Sequence, residues 1–403
     1  MSLSSHGDTP DDSRSAVPAV PPPWPGPRPA QPVAPLMDRL VRFADSRASA
    51  SFVLCVGALV YVGNILADNF GRDILLPLAF LAMVPLAICL AGLWWVDRWD
   101  PEPKSAVALA LIWGAGASVG GTLLLGRFVF APIVAATDIA EPGLFGAVVQ
   151  APVVEELAKG LGVLLIFLVR GSHFDGPVDG IVYGGAVGAG FAFTENILYF
   201  ASATAAGGDA VAEMFVMRGL FSPFAHVLFT AWTGFALGLA ASRGHRRWWV
   251  RYFIVGLVPA ILGHFLWNGG LAVFFPDFWS FYVLLQVPLF ICAVVAVWLL
   301  RRAERRLTER RLGDYRKAGW FTDREVAMLS TAAGRRAAAS WARGYGAGGL
   351  MRDFTTTAVR LAAERHRIVR GHGVEAAQRQ EQLLLQRALR QRQQLLAQVG
   401  APR

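Results

Sequence analysis

The most informative stretch of the sequence reads LFGAVVQAPVVEELAKGLGVLLIFLV over residues 144–169. Its length and apolar composition fit a helix that crosses a hydrocarbon layer of about 30 Å, which takes about 20 residues. A charged side chain near the centre of a bilayer costs roughly 2.5–3.5 kcal/mol on insertion scales, so such residues are kept for a reason. This stretch holds three of them, Glu155, Glu156 and Lys159. It therefore predicts a membrane-spanning helix with a functional polar face.

Other apolar segments of similar length surround this stretch and predict an all-α, polytopic transmembrane helical bundle of about eight spans. The composition agrees, because the chain of 403 residues is 54% hydrophobic and only 17% charged, whereas a soluble domain is about 25% charged. An ordinary soluble enzyme is therefore excluded. In one span, Gly180, Gly184 and Gly188 recur every four residues and predict close contact with another helix. The predicted spans are 51–68, 74–96, 105–125, 144–169, 178–201, 222–241, 252–274 and 280–300.

Two polar regions flank the predicted membrane domain of residues 49–300. Residues 1–48 are rich in proline and predict a disordered cytoplasmic tail. Residues 301–403 hold 22 Lys and Arg against 9 Asp and Glu, and they predict basic cytoplasmic helices that lie on an anionic membrane surface. No nucleic-acid recognition motif occurs in the sequence, so the lipid bilayer, and not nucleic acid, is the expected partner.

Basic residues fall on alternate predicted loops, which places both termini in the cytoplasm and the protein in the cytoplasmic membrane. An even number of spans agrees with this orientation. The loops predicted to face outward hold only Arg72, Arg127 and Arg218. The loops predicted to be cytoplasmic hold Arg98, Lys104, Arg170, Arg243, Arg246, Arg247 and Arg251.

Four consecutive predicted spans carry polar residues that lipid cannot solvate, so these residues are expected to meet one another or a water-filled cavity. Glu155 and Lys159 are four residues apart, as are His264 and Asn268, so each pair projects from one face of its helix. The polar residues of the four spans are Glu155, Glu156, Lys159, Glu195, Asn196, His226, His264 and Asn268.

Two chemistries fit these residues, and both lead to hydrolysis. Adjacent carboxylates in a low-dielectric site do not both ionise easily, which suits proton shuttling, while a neutral histidine and an amide can donate to a developing oxyanion. The other route uses Zn²⁺ or another divalent metal to activate water, with Glu156, His226 and His264 as candidate ligands. The residues alone leave both routes open. No P-loop or HExxH motif occurs, which excludes the nucleotide-driven and zincin sites.

The order of the motifs resembles the PrsW family of intramembrane proteases. An EExxK motif begins at Glu155, an FxxxEN motif ends at Asn196, His226 follows, and an HxxxN motif begins at His264. The loop 97–103 also looks like the DR…EP signature of that family. The resemblance covers about residues 90–300. It implies an endopeptidase that cleaves a membrane-anchored protein, with an anti-sigma factor as the known kind of substrate.

The resemblance also implies a role for each polar residue. Glu155 and Glu156 would be the catalytic diglutamate, and His264 would position or deprotonate the hydrolytic water. Family members are described both as glutamate-dependent proteases and as metalloproteases. The related CAAX prenyl endopeptidases more often have Arg in the diglutamate motif, so Lys159 favours the PrsW branch. The tetrahedral intermediate would be stabilised by His226 and Asn268, and the polar site would be completed by Glu195, Asn196 and the counter-ion Lys159.

Less specific interpretations accompany these. The two glutamates could form a structural ion-pair network, the histidines could be packed core residues, and Asn196 and Asn268 could be hydrogen-bonding links between helices. A proton-coupled transporter could use the same Glu and His residues as a relay, although such a fold predicts an internal repeat that the sequence does not show. A catalytically inactive scaffold is a third class, which the intact motifs disfavour.

Overall fold

The computed structural model describes residues 35–137, 139–171 and 174–400, and every regular element among them is a helix. The predicted all-α class is therefore confirmed. Of the predicted tail 1–48, residues 1–34 lie outside the described part, and the rest begins helix α1 (Pro35–Phe70). Residues 46–403 form one compact unit.

Twelve further helices follow α1, and the last of them, α13, extends from the membrane domain into the C-terminal region. Several are joined end to end by short π-helical turns, so that one pass through the membrane is built from more than one helix. The helices are α2 (Arg72–Asp97), α3 (Lys104–Ile112), α4 (Val119–Leu125), α5 (Ala131–Ala135), α6 (Pro142–Phe145), α7 (Ala151–Val169), α8 (Pro177–Ala203), α9 (Gly208–Met214), α10 (Ala225–Ser242), α11 (Trp249–Gly269), α12 (Phe278–Phe281) and α13 (Val287–Lys317). The π-helical turns are Trp113–Ser118, Gly126–Phe130, Gly146–Gln150, Phe215–Phe221, Gly270–Phe274 and Tyr282–Gln286.

By length and composition, seven helical segments of the described chain can cross a membrane. The remaining predicted span, residues 144–169, is also helical in α6, the turn Gly146–Gln150 and α7, but its three charged residues keep it out of this group. The seven segments are Ala50–Phe70, Arg72–Asp97, Lys104–Ala135, Pro177–Ala206, Gly208–Ser242, Arg246–Gly269 and Phe278–Lys317. Two hairpins between them turn on a single glycine with positive φ, Gly71 at 88° and Gly207 at 100°, a conformation that glycine adopts without strain.

The connections after alternate passes lie on the same side of the bundle. Arg246, which follows α10, donates hydrogen bonds to the carbonyl oxygens of Phe167 and Gly171 at the end of α7, at 2.8 and 3.1 Å. Arg335, in the region after α13, donates to the carbonyl oxygen of Trp99, just beyond α2, at 2.6 Å. The ends of α2, α7, α10 and α13 therefore share one face of the membrane domain.

Helix α8 is the central helix of the bundle, and α10 packs against its glycine stripe. A Cβ atom built on Gly180 would lie 2.0 Å from the carbonyl oxygen of Gly234, and one built on Gly188 would lie 2.4 Å from that of His226. Gly184 approaches the carbonyl oxygen of Thr230 in the same way, at 2.6 Å. The predicted helix contact is therefore confirmed, and it brings the backbone of α10 directly against α8.

The C-terminal region has a hydrophobic core of its own. Helix α13 continues out of the membrane domain and packs with α14 (Asp323–Ser330), α15 (Ala332–Gly344), α16 (Gly348–Val369) and α17 (Val374–Gly400). The predicted helices of residues 301–403 match these helices, which pack on one another. Their position on a membrane surface stays a prediction. The core of this region includes Leu312, Phe321, Leu329, Met351, Phe354, Leu361, Leu384 and Leu395.

Candidate active site

Helix α7 carries the two glutamates and the lysine into the interior of the bundle. Its one-turn spacing lets Lys159 reach both acids, with Nζ at 2.6 Å from Glu156 Oε1 and 3.5 Å from Glu155 Oε2. All three residues are buried, and Lys159 and Glu156 are both fully so. One lysine thus serves two carboxylates, and one negative charge remains to be balanced by other groups.

Glu156 is fully occupied by hydrogen-bond donors from three helices. Besides Lys159, its Oε1 lies 3.0 Å from His264 Nδ1 on α11. Its Oε2 accepts a hydrogen bond from Thr230 Oγ1 on α10 at 3.0 Å. This carboxylate therefore ties α7, α10 and α11 together and fixes the orientation of the His264 ring.

Glu155 is much less occupied. Its Oε2 lies 3.9 Å from His264 Nε2, which is beyond hydrogen-bond distance. Because His264 Nδ1 donates to Glu156, the neutral ring carries a lone pair on Nε2. A carboxylate oxygen and a lone pair facing each other are two acceptors, so they are complementary to a shared donor or cation, such as water or a metal ion.

His226, at the start of α10, faces the same space. Its Nε2 lies 2.7 Å from Glu195 Oε2 and its Nδ1 lies 3.0 Å from Lys159 Nζ. Its ring centroid is 5.1 Å from that of His264, with the two rings nearly perpendicular at 84°. The close contact of α10 with Gly188 holds His226 at this position. We call Glu155, Glu156, Lys159, Glu195, His226 and His264 the acid–histidine cluster.

Aromatic rings enclose the acid–histidine cluster on two sides. Phe191, the first residue of the FxxxEN motif, lies with its ring centroid 4.1 Å from Lys159 Nζ and 5.2 Å from the His226 ring. Phe229 stacks on His264 with 5.1 Å between ring centroids. These contacts give the motif phenylalanine a physical role, since an ammonium group is attracted to the face of an aromatic ring.

Two further residues complete the hydrogen-bond network although the sequence motifs do not mark them. Thr230 lies four residues after His226 and so on the same helix face, a spacing that could have revealed it. Arg218, from the turn Phe215–Phe221, donates to Glu195 Oε2 at 2.5 Å and to Asn196 Oδ1 at 3.2 Å. Its predicted place in an outward loop is therefore corrected: Arg218 is half-buried against α8. The one hint in the sequence is that Glu195 otherwise has no arginine or lysine partner in its own span.

The structure leaves Asn268 apart from these contacts. Its side-chain nitrogen donates to the backbone carbonyl of Ala147, before α7, at 2.8 Å. This bond links α11 to the turn Gly146–Gln150, as in the interpretation of Asn268 as a link between helices. Asn196 contacts the network only through Arg218.

Three members of the acid–histidine cluster also have the geometry of a metal-binding group. One ligand atom from each of Glu155, His226 and His264 lies within 4.8 Å of the others, and all three residues are buried. Two imidazoles and one carboxylate are a ligand set of catalytic zinc sites. Glu155 stands where Glu156 was expected, because both oxygens of Glu156 are taken by Lys159, Thr230 and His264.

The partners of the two histidines fit the same interpretation. Glu195 lies at Nε2 of His226 and Glu156 lies at Nδ1 of His264. A metal-ligating histidine usually donates its second N–H to a carboxylate or a carbonyl, which fixes the ring. The residues present therefore fit a divalent metal ion.

The loop 97–103 supports α8 from one end and lies outside the acid–histidine cluster. The Glu102 carboxylate accepts a hydrogen bond of 2.5 Å from the Tyr183 hydroxyl on α8. The Asp97 carboxylate accepts a hydrogen bond from the Glu102 backbone N–H at 3.0 Å. Burial raises the pKa of Glu102 to about 9, and the nearby Asp175 and Asp100 add to this effect. The carboxyl group is thus kept largely protonated at neutral pH.

Comparison with known proteins agrees with the motifs. Residues 102–293 match the model of a family described as PrsW family intramembrane metalloprotease. The chain is 32% identical over 160 residues to Protease PrsW of Geobacillus kaustophilus, which covers 39% of this chain and 63% of that protein. It is 28% identical over 192 residues to Protease PrsW of Clostridioides difficile, and this alignment covers 46% of this chain and 76% of that protein. A third relative, Protease PrsW of Bacillus subtilis, is 29% identical over 169 residues, 41% of this chain and 70% of that protein.

The family match therefore covers the membrane domain from residue 102 to residue 293, and the match to the Geobacillus protein covers less than two thirds of that protein's length. No solved structure matches the chain significantly. The matched region contains the whole acid–histidine cluster, in the order that the motifs predict. Residues 102–293 are therefore similar to the PrsW family over slightly less than half of the chain.

Proposed function

We propose that this protein is an intramembrane endopeptidase that hydrolyses a peptide bond of a membrane-anchored protein with water activated at the acid–histidine cluster. The observation that carries the proposal is the pair of facing acceptors, Glu155 Oε2 and His264 Nε2, 3.9 Å apart among buried residues. The name of the relatives, Protease PrsW, supports peptidase activity. A water molecule between the two acceptors would be polarised by both.

The residues of the chain divide the reaction between them. Glu155 accepts a proton from the water molecule while the water oxygen attacks the carbonyl carbon of the peptide bond. Glu155 then gives this proton to the peptide nitrogen as the C–N bond breaks. Lys159 offers positive charge to the developing oxyanion. Glu156 holds the His264 ring in place through the 3.0 Å contact at Nδ1.

A divalent metal fits the same place in an alternative route, in which Glu155 is a ligand instead of the proton acceptor. Glu155, His226 and His264 would hold it. A bound ion supplies Lewis acidity and lowers the pKa of the bound water. Glu195 and Glu156, each beside one of the histidines, would keep the two rings oriented toward it.

We propose a single-span membrane protein as the substrate class, with a membrane-anchored regulator of the anti-sigma-factor type as one member. The support is the position of the cluster on helices of membrane-spanning length. We also propose that the protein lies in the cytoplasmic membrane with both termini in the cytoplasm. The shared face of the ends of α2, α7, α10 and α13 carries the basic Arg246 and Arg335, as the positive-inside rule requires of a cytoplasmic face.

The test uses the purified full-length protein and a library of single-span substrates in proteoliposomes. Glu155→Gln removes the proton acceptor, and we expect cleavage to fall by about 100- to 10,000-fold, the usual contribution of a general base. Glu156→Gln disturbs the His264 ring and is expected to slow cleavage as well. Glu213→Gln, at an exposed acid, is the control and should cleave normally.

Full cleavage by both cluster variants would contradict the proposal. The same proteoliposomes also test the transporter alternative. A flux driven by a pH gradient, lost in the Glu156 variant and without peptide cleavage by the wild-type protein, would favour that alternative.

A further inference from the structure

Arg218 is fixed by three residues of α8 that lie on the same side of that helix. Its NH2 group donates to Glu195 Oε2 at 2.5 Å, and its Nε donates to Asn196 Oδ1 at 3.2 Å. Its guanidinium carbon lies 3.8 Å from the ring centroid of Tyr199. The side chain is 26% exposed. A planar guanidinium with two directed donors and a stacking face matches this arrangement, and a lysine ammonium does not.

The contacts of Glu195 connect Arg218 to His226. The Oε2 atom that accepts from Arg218 also lies 2.7 Å from His226 Nε2. Arginine only donates and keeps its charge in proteins, so it stabilises Glu195 as an anion that accepts from both neighbours. His226 Nε2 must then carry a proton.

The other nitrogen of His226 leads to the same tautomer. Nδ1 lies 3.0 Å from Lys159 Nζ, and an ammonium group is a donor without acceptor capacity. Nδ1 therefore carries the lone pair and points toward the centre of the acid–histidine cluster. The hydrogen bonds from Arg218 through Glu195 and His226 to Lys159 therefore pair each donor with an acceptor.

We propose that Arg218 is a positioning residue that holds the Glu195 carboxylate and, through it, the ring orientation and tautomer of His226. The inference rests on the proposed function and adds to it a residue outside the motifs. Without the guanidinium, the Glu195 carboxylate loses the hydrogen bond from Arg218 NH2 and, with it, its only arginine partner among the described residues. The acceptor opposite His226 Nε2 is then no longer fixed in space.

The direct test is ¹⁵N NMR of the full-length protein labelled on histidine in lipid nanodiscs, with the His226 signals assigned by a His226→Asn variant. In the wild-type protein we expect one neutral tautomer with the proton on Nε2. Arg218→Met, which keeps the length of the side chain and loses its charge and donors, should lower the fraction of this tautomer, because Glu195 is no longer fixed opposite Nε2 while the Lys159 contact at Nδ1 remains. Arg218→Lys keeps the charge without the fork and should retain only part of the single tautomer.

Arg127→Met is the matched control. Arg127 is an exposed arginine of the turn Gly126–Phe130 whose guanidinium carbon lies 5.6 Å from the Phe128 ring centroid. This variant should leave the His226 signals unchanged. An unchanged single tautomer in Arg218→Met, with the thermal unfolding midpoint of the wild-type protein, would overturn the positioning role.

A kinetic measurement complements the spectra. Loss of a carboxylate partner of a functional histidine typically costs about 10- to 100-fold in activity or metal affinity, so we expect Arg218→Met to lower kcat by this factor with little change in KM. A change confined to KM would overturn the proposal, since it would place Arg218 in substrate binding. The spectra need no substrate, so a wild-type protein without peptidase activity would contradict the proposed function and leave the tautomer result standing.

Discussion

At the scale of single residues, the surroundings separate two neighbouring glutamates into different roles. Glu156 has Lys159, Thr230 and His264 within 3.0 Å, while Glu155 has Lys159 at 3.5 Å and His264 at 3.9 Å. A saturated carboxylate orients its neighbours, and an unsaturated one can exchange protons or bind a cation. The difference arises because the two side chains are about 100° apart around α7.

The metal group gives a prediction at this scale. We expect the purified protein to bind one Zn²⁺, measured by competition with a chromophoric chelator, and to lose peptidase activity when the ion is removed. His264→Asn should abolish binding, because it removes a ligand atom of the group. Glu156→Gln should weaken binding by about 10- to 100-fold, because it removes the partner of His264 Nδ1.

Asn268→Ala is the control for this experiment, since Asn268 is bonded to the Ala147 carbonyl. It should bind Zn²⁺ as tightly as the wild-type protein. Zinc binding that survives His264→Asn with wild-type affinity would exclude the group Glu155, His226 and His264 as the metal site.

The sequence predicts which residues converge better than it predicts their pairing. Polar residues inside predicted membrane spans are costly, which marks them as residues that should meet. The structure does bring Glu155, Glu156, His226 and His264 together. The rotation of each helix about its axis is decided by packing, which no short motif encodes. For that reason neither the partner of Asn268 nor the contact of Arg218 with Glu195 follows from the sequence pattern.

At the scale of helices, the contact between α8 and α10 sets the position of His226. Small residues let two helix backbones approach closely, and the stripe Gly180, Gly184 and Gly188 does so against α10. The periodic glycines made this contact predictable. The π-helical turns were not predictable, because one additional residue per turn leaves no clear signature in a hydrophobic segment.

This contact predicts the effect of adding a single methyl group. In Gly188→Ala the new Cβ would meet the His226 carbonyl oxygen at 2.4 Å, so the helices must separate. We expect a loss of about 1–3 kcal/mol in the free energy of unfolding, as for other overpacked interiors, and a strong loss of activity. Thermal unfolding and cleavage of the single-span library measure the two effects.

Gly63→Ala is the matched control, since a Cβ on Gly63 in α1 meets no atom within 4 Å. It should be as stable as the wild-type protein or slightly more so, because alanine favours helix. Equal stability of the two variants would show that the contact between α8 and α10 is looser than described.

At the scale of the whole molecule, the C-terminal region, outside the matched family region, is held to the membrane domain at the loop 97–103. Arg335 donates to the Trp99 carbonyl oxygen and its guanidinium carbon lies 3.3 Å from the Trp99 ring centroid. Burial, with Asp175 nearby, raises the pKa of Asp100 from 3.8 to about 7, although Arg360 and Arg335 lower it in part. A carboxyl group thus lies at this junction in a largely uncharged form below neutral pH.

The junction should therefore weaken as the pH rises. The folded protein holds the Asp100 proton more tightly than the unfolded chain does, so protonation of Asp100 stabilises the fold at low pH. This stabilisation is lost as the pH rises from the unfolded pKa of 3.8 to the folded pKa of about 7. Glu102, with a pKa of about 9, extends the loss to higher pH. We expect a lower thermal unfolding midpoint at about pH 8 than at about pH 5.5.

Asp100→Asn should flatten this dependence, because its side chain stays neutral. Asp209→Asn, at an exposed acid in the first turn of α9, should leave it unchanged. A wild-type midpoint that rises across this pH range, or an Asp100→Asn profile identical to that of the wild-type protein, would contradict the assignment.

Helix α13 connects the C-terminal core to the cavity beside Ala225 through one continuous helix. It runs over 31 residues from Val287 to Lys317, a length of about 45 Å at 1.5 Å per residue. Near its first turn, Phe290 lines a cavity with Ala225, the residue before His226, and its far end supplies Leu312 and Tyr315 to the C-terminal core. A force applied to the C-terminal end of α13 is therefore transmitted as the tilt of one continuous helix to the cavity wall beside His226.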